Sequence, residues 1–241
     1  MEQPKVSIIL RCKNNWELTK KCIDSIEVNT DPDLYKLIVV NDGSTDETDE
    51  QLGKYWKEEH CNFIYITHEK SKGAVSATNS GLDYVFNHPT RYIMTLDNDA
   101  EVLKGNTSWL TDMIAYFEED ESVGAVGATT NFTVGRQNIS VIHEVKDVKF
   151  LISFCMLMSF RCAKKVGLWD EQFNPGNCED IDFSFRARRE GFKLFVARDV
   201  YIKHIGHQTF GKENIKKLSL ENERKLLIKY GERTYHTMRW N

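Results

Sequence analysis

No stretch of this 241-residue chain is apolar for long enough to cross a membrane as a helix. The longest nearly unbroken apolar run, residues 150–160, falls far short of the roughly 20 residues a span needs. There is no basic surplus: the net charge of −4 excludes a nucleic-acid binder that works through a basic surface. No Cys-x-x-Cys pair occurs among Cys12, Cys22, Cys61, Cys155, Cys162 and Cys178, and their spacing fits no zinc site. Free thiols in a reducing cytosol are expected. The opening Met1-Glu2-Gln3-Pro4-Lys5 has no signal-peptide core, so a cytoplasmic location is expected. Also missing are the Gly-x-x-x-x-Gly-Lys-Ser/Thr loop and the Gly-x-Gly-x-x-Gly turn. A nucleotide would therefore not be held as in a phosphate-loop ATPase or a Rossmann dehydrogenase.

What is present begins with Tyr92-Ile93-Met94-Thr95-Leu96-Asp97-Asn98-Asp99, an apolar run ending in two carboxylates. Side chains alternate along a strand, so Asp97 and Asp99 point one way and Asn98 the other. Crowded carboxylates repel unless a cation joins them, and hard oxygen ligands suit Mg2+ or Mn2+ together with substrate phosphates. Taken alone, the motif also fits a polar turn after a strand.

Continuous apolar runs and helical spacings alternate through the first half. Strands are expected over 6–10, 35–40, 63–66 and 91–96, and helices over 15–28, 46–59 and 73–86. Such alternation predicts a mostly parallel sheet with helices on both faces and ligands beyond the strands' C-terminal ends. In the second half the pattern predicts helices over 108–119, 178–190 and 213–230. Strands are expected over 123–128, within 150–160, and as two short segments near 192–197 and 200–205. Residues 129–149 stay ambiguous. No repeat or low-complexity linker divides the chain, which reads as one domain over 1–210 and a tail over 211–241. The tail holds eight Lys/Arg against four Asp/Glu, a net of +4, so the first 210 residues carry −8.

Polar clusters follow three of these strands: Arg11-Cys12-Lys13-Asn14, Asn41-Asp42-Gly43-Ser44-Thr45-Asp46 and Asp97-Asn98-Asp99. The middle one is locally a tight turn with a helix cap. Three clusters on one sheet edge favour a nucleotide pocket. Lys72-Gly73, just before a helix, offers amides and an ammonium to an anion, or is an ordinary turn. Asn177-Cys178-Glu179-Asp180-Ile181-Asp182 makes a good helix start, with Asn177 as N-cap and acids in the first turn. Asp182 can pair with Arg186 one turn on. Asp180 and Asp182 face different ways on a helix, so at most one serves as a general base. His204 is either a core histidine or, beside an Asp-x-Asp, a third metal ligand. His207 could touch a phosphate.

In this order the motifs resemble an inverting family 2 glycosyltransferase of the GT-A fold, in the branch called rhamnosyltransferase-like. The resemblance spans residues 5–210. It runs from the opening strand through Val39 to Asp46, Lys72-Gly73 to Leu82 and Asp97-Asn98-Asp99. It continues in Gly167-Leu168-Trp169-Asp170-Glu171, Glu179-Asp180-Ile181-Asp182, Gly191-Phe192 and His204. It implies a GT-A catalytic domain over 1–210, with a nucleotide-binding half (1–99) and an acceptor-binding half (100–210). It implies a UDP-sugar donor, or a dTDP-sugar, with Mn2+ or Mg2+. Arg11, Cys12, Lys13, Asn14, Asn41, Asp42, Lys72, Gly73, Asp97 and Asn98 would border the donor. Asp97, Asp99 and His204 would hold the metal. Asp180 would be the catalytic base with Glu179 beside it, and Trp169, Asp170 and Asp182 would line a glycan or lipid-linked acceptor.

Several positions depart from the family pattern. Arg11 and Lys13 replace the usual Pro and Tyr, Asn41 a first Asp, and Thr78 a frequent Arg. Phe154 stands where Gly is common and is expected to narrow the donor-sugar or acceptor space. Two alternatives remain at this stage: a catalytically silent nucleotide-sugar-binding module of the same fold, or a sugar-phosphate nucleotidylyltransferase. The basic tail, with Lys212, Lys216, Lys217, Arg224, Lys225, Lys229, Arg233, Arg239 and Trp240, suggests either peripheral contact with the inner face of an anionic membrane or packing on the domain.

Overall fold

The computed structural model describes residues 4–57, 62–131, 133, 135–141, 147–206 and 212–239. Its first half alternates as the spacing predicts: β1 (Val6–Cys12), α1 (Trp16–Asn29), β2 (Tyr35–Asn41), α2 (Thr48–Lys57), β3 (Phe63–Thr67), α3 (Ala74–Asn87) and β4 (Tyr92–Asp97). The second half contains β5 (Ala100–Val102), α4 (Trp109–Glu119), β6 (Val123–Thr129), β7 (Cys155–Ser159), α5 (Phe160–Val166), α6 (Glu179–Arg189), β8 (Lys193–His204), α7 (Lys212–Tyr230) and α8 (Glu232–Arg239). Two short 3-10 turns, Gly135–Gln137 and Ile139–Val141, fall in the ambiguous stretch.

The strands form one sheet in the order β3-β2-β1-β4-β7-β6-β8-β5. β3, β2, β1 and β4 are mutually parallel, whereas β7 runs antiparallel between β4 and β6. Period-2 alternation in β1 explains the two-faced core. Ile8 and Leu10 face a cluster with Trp16, Ile23 and Ile26 of α1, Leu52 of α2 and Trp109 of α4. Ile9 faces the opposite cluster, with Val75 and Leu82 of α3, Cys162 of α5, Phe183 of α6 and Leu226 of α7. Each such fully buried aliphatic side chain contributes about 1.5–3 kcal/mol. Cys12, Cys22, Cys155, Cys162 and Cys178 are buried; Cys61 lies outside the described residues.

One expectation needs revision. The segments near 192–197 and 200–205 are one strand, β8, whose pairing with β6 jumps from Ala197↔Ala128 to Tyr201↔Thr129. The irregularity hides the continuity because it breaks the alternation of buried residues. The tail packs on the domain, one of the alternatives stated for it: Leu226 of α7 belongs to the core, and Tyr230 and Tyr235 pack against it. Among the described residues no helix is long and apolar enough to cross a membrane.

Candidate active site

Register alone assembles the edge of the sheet. In the parallel β1–β4 pair Arg11 lies opposite Asp97, and in the β1–β2 pair Cys12 lies opposite Asn41. On the far side β5 pairs antiparallel with β8 so that Ala100 faces His204, bringing the imidazole back to the Asp-x-Asp. His204 Nε2 lies 3.2 Å from Asp99 Oδ1 and 3.7 Å from Asp97 Oδ2. One ligand atom each from Asp97, Asp99 and His204 fall within 4.8 Å of one another. Two carboxylates and one imidazole that converge in this way fit a hard divalent cation such as Mn2+ or Mg2+. Asp99 Oδ2 accepts from the Gly206 amide at 2.9 Å. Phe154, expected to narrow the donor-sugar or acceptor space, is instead fully buried, and its ring stacks on His204 at 4.9 Å.

Asp97 divides its oxygens. Oδ2 faces His204, while Oδ1 meets the Arg11 guanidinium at 2.5 Å. Arg11 also donates to Thr78 Oγ1 and Ser153 Oγ, each at 3.3 Å. The Ser153 amide in turn donates to Asp180 Oδ2 at 3.2 Å. A short polar path thus joins the Asp-x-Asp to Asp180. Asp180 Oδ1 accepts from the Ile181 amide at 2.8 Å, and Glu179 Oε2 meets no hydrogen-bond partner among the described residues. Burial pushes both acids above the ordinary carboxylate range; each other's charge adds to the push on Glu179, and the nearby Arg11 charge opposes it on both. A carboxylate with a raised pKa is a better proton acceptor near neutral pH.

The turn after β2 has a different internal role from the one expected. Asp42 is buried, and both carboxylate oxygens are occupied. Oδ1 meets His68 Nδ1 at 2.8 Å and the Lys72 amide at 2.8 Å; Oδ2 accepts from Ser71 Oγ at 2.6 Å and the Gly73 amide at 2.9 Å. Burial alone would raise its pKa, but these hydrogen bonds outweigh it and hold the carboxyl low. The Lys72-Gly73 amides, expected to face a ligand anion, face this internal carboxylate instead; the Lys72 side chain is exposed. Asn41 is likewise spent: Nδ2 donates to Asp49 at 2.7 Å, and Oδ1 accepts from Ser44 Oγ at 2.5 Å. Asn14 Oδ1 accepts from the Thr45 amide at 2.8 Å, tying the first turn to the second. Cys12 is buried, which pushes its thiol up to about 12, so only its backbone borders the edge. Lys13 is exposed at the edge. Asn98 turns away, donating to Thr19 Oγ1 at 2.9 Å. Of the expected donor set, then, the side chains of Asp42, Asn41, Cys12 and Asn98 shape the edge from beneath.

The expected acceptor residues are also engaged internally. Trp169 is buried, and its backbone exchanges hydrogen bonds with the Asn79 amide group at 2.9 Å. Asp170 caps the Glu171–Phe173 turn and pairs with Lys229 at 2.7 Å. Asp182 does pair with Arg186, at 2.8 Å, but not on the surface: it is fully buried and also binds Lys229 and Tyr230 of α7, each at 2.5 Å. The N-cap of α6 is Cys178, not Asn177, and both have left-handed φ, 72° and 71°. Sequence reading missed His68, Ser71, Ser153 and Asn222. Their partners lie tens of residues away, and no local pattern marks them. His207 lies outside the described residues.

A strand-end carboxylate pair, an inward histidine and a buried acid pair on one sheet edge define the class, and comparison with known proteins gives the family. The chain belongs to glycosyl transferase family 2, whose model matches residues 7–168. It is similar to poly-beta-1,6-N-acetyl-D-glucosamine synthase from Staphylococcus aureus, 24% identical over 208 residues, covering 78% of this chain and 47% of that protein. The chain thus spans about half the length of the curated relatives of this kind. Among solved structures the fold is like that of the mannosyltransferase PcManGT from Pyrobaculum calidifontis, solved with GDP-Man and Mn2+. That match has TM-score 0.73 and 16% identity, with 96% of this chain and 66% of that chain covered. Staphylococcus aureus TarS in complex with UDP-GlcNAc gives TM-score 0.71 at 17% identity, covering 93% and 66%. The architecture is therefore GT-A.

Proposed function

We propose that this protein is a metal-dependent, inverting glycosyltransferase that moves a sugar from a UDP-sugar, or a dTDP-sugar, to a hydroxyl of a glycan or lipid-linked acceptor. The observation that carries this reading is the convergence of Asp97, Asp99 and His204 beside the buried Glu179-Asp180 pair, with Arg11 between the two groups. A divalent cation held by Asp97, Asp99 and His204 would neutralise the leaving diphosphate. Asp180 takes the proton from the attacking acceptor hydroxyl, and its two backbone hydrogen bonds fix which way the carboxylate points. Burial and the neighbouring Asp180 charge push Glu179 above the ordinary carboxylate range beside it. No side chain is assigned as a nucleophile, so a single displacement inverts the anomeric centre. The UDP-GlcNAc bound by TarS and the poly-N-acetyl-D-glucosamine product of the synthase support a uridine donor and a role in polysaccharide synthesis. Work at the inner face of a membrane would suit a lipid-linked acceptor.

The decisive variant is Asp180→Asn. It is expected to abolish transfer while UDP and Mn2+ still bind by thermal shift; near-normal transfer removes Asp180 from the role. A silent binding module predicts no Mn2+-dependent hydrolysis of any UDP-sugar by the native chain. A nucleotidylyltransferase predicts pyrophosphate release from a nucleoside triphosphate and a sugar phosphate.

A further inference from the structure

The segment that delivers Glu179 and Asp180 is strained at its entry. Asn177 and Cys178 both have left-handed φ, a conformation costing non-glycine residues roughly 1–3 kcal/mol each unless the surroundings enforce it. The α6 N-terminus also lacks a side-chain cap. Something else must hold this turn, and it comes from α7. Asn222 is fully buried in the middle of that helix, where Asn is a poor helix former. Its Nδ2, with two N–H donors, lies within hydrogen-bond distance of three main-chain carbonyls of the turn, so one N–H is shared: Phe173 at 2.9 Å, Gly176 at 2.7 Å and Asn177 at 2.9 Å. Lys225 Nζ donates to Asn222 Oδ1 at 2.7 Å and to Gln172 O at 2.6 Å, which fixes the amide's orientation chemically as well as by shape. Lys229 completes the seam on Asp170 and Asp182. From the opposite side the same turn is held by α3, through Asn174 Nδ2 to Ser76 Oγ at 2.7 Å and the Ala74 amide to Pro175 O at 2.8 Å.

We propose that α7 is a clamp on the catalytic turn and that Asn222 is its positioning residue. Its amide holds residues 173–177 in the strained path that aims Asp180 at the acceptor. The tail cations Lys225 and Lys229 serve this clamp. The proposal rests on the reading of Asp180 as the general base, and the test separates the two.

Asn222→Asp keeps the side chain's size and the acceptor for Lys225 but loses the N–H donors. Lys225→Met frees the amide without burying a new charge, and it stands in should the first variant fail to fold. Leu226→Ala, in the same helix, removes core packing but none of these hydrogen bonds. Three readouts are taken: hydrogen exchange of peptides spanning 173–182, kcat and donor KM for transfer from a UDP-sugar, and the UDP plus Mn2+ thermal shift. The clamp predicts faster exchange at 173–182 and a kcat lower by about 10²-fold for the Asn222 or Lys225 variant, with donor KM and UDP binding unchanged. Leu226→Ala is expected to lower Tm and leave kcat intact below it. Native-like exchange and kcat in the Asn222 and Lys225 variants would overturn the clamp. If the native chain transfers no sugar, the reading of Asp180 fails and exchange alone decides: faster exchange keeps the clamp, unchanged exchange removes it.

Discussion

Arg11 connects the two acidic groups at the sheet edge. It pairs with Asp97 and lowers the cost of charge on Glu179 and Asp180. Replacing it by Met, which keeps the stem, removes the nearby positive charge that, with the Ser153 and Ile181 amides, opposes burial at Asp180. The folded Asp180 carboxyl then moves further up, and a base works only when ionised. The acid limb of the kcat/KM profile should therefore shift to higher pH, by about 1 unit for loss of an adjacent opposite charge. A profile that keeps its limb in place would show that Arg11 acts on the donor alone. At this scale the sequence was informative where chemistry is local. Asp97 and Asp99 do converge and Asn98 turns away as alternation predicts, although β4 ends at Asp97 and residues 98–99 form a turn. The fate of Asp42 does not: its partners sit 26 to 31 residues downstream. A saturated carboxylate and a ligand-binding one look the same in a turn motif.

Among elements, α3 and the 173–176 turn meet closely. Gly73 has φ of +98°, and a Cβ there would lie 2.5 Å from Asn174 Oδ1 and 2.9 Å from Pro175 Cα. Gly73→Ala should cost roughly 1–3 kcal/mol in strain and displacement. At about 2–4 °C per kcal/mol for a chain of this size, a clear drop in Tm is expected in a thermal melt. The alternating half was legible because each element carries its own signature, continuous apolar runs for buried strands and 3.6-residue spacing for helices. In the second half α4, α6, α7 and β6 were legible in the same way, but the strand order was not, since it depends on register between distant strands. β7 slips antiparallel between β4 and β6, and β8 stays one strand through a jump in pairing. The short β5 and α5 carried too few residues to announce a period. Asp182 shows the same limit: its i,i+4 partner Arg186 was readable, but Lys229 and Tyr230, which make it a buried anchor, were not.

For the molecule as a whole, the two halves meet at one edge, so a ligand that bridges them should stabilise the entire fold. With UDP and Mn2+ at a hundredfold excess over Kd, mass action adds about 2.7 kcal/mol. Tm should rise by several degrees, about 2–4 °C per kcal/mol. EDTA should remove most of that rise, and Asp99→Asn should reproduce the effect of EDTA. A UDP shift indifferent to chelation would argue that the acids and His204 form an ordinary ion-pair cluster.

The internal use of the α3 amides has one more consequence. A helix start is ordinarily a place where a phosphate finds ready-made positive dipole, but here Asp42 already draws on it. Countercharge for a diphosphate must come from elsewhere along the edge, so phosphate groups by themselves have little reason to settle at α3. With a nucleotide-sugar donor as proposed, capture of the anion and orientation of the nucleotide would be separate tasks, carried by different residues.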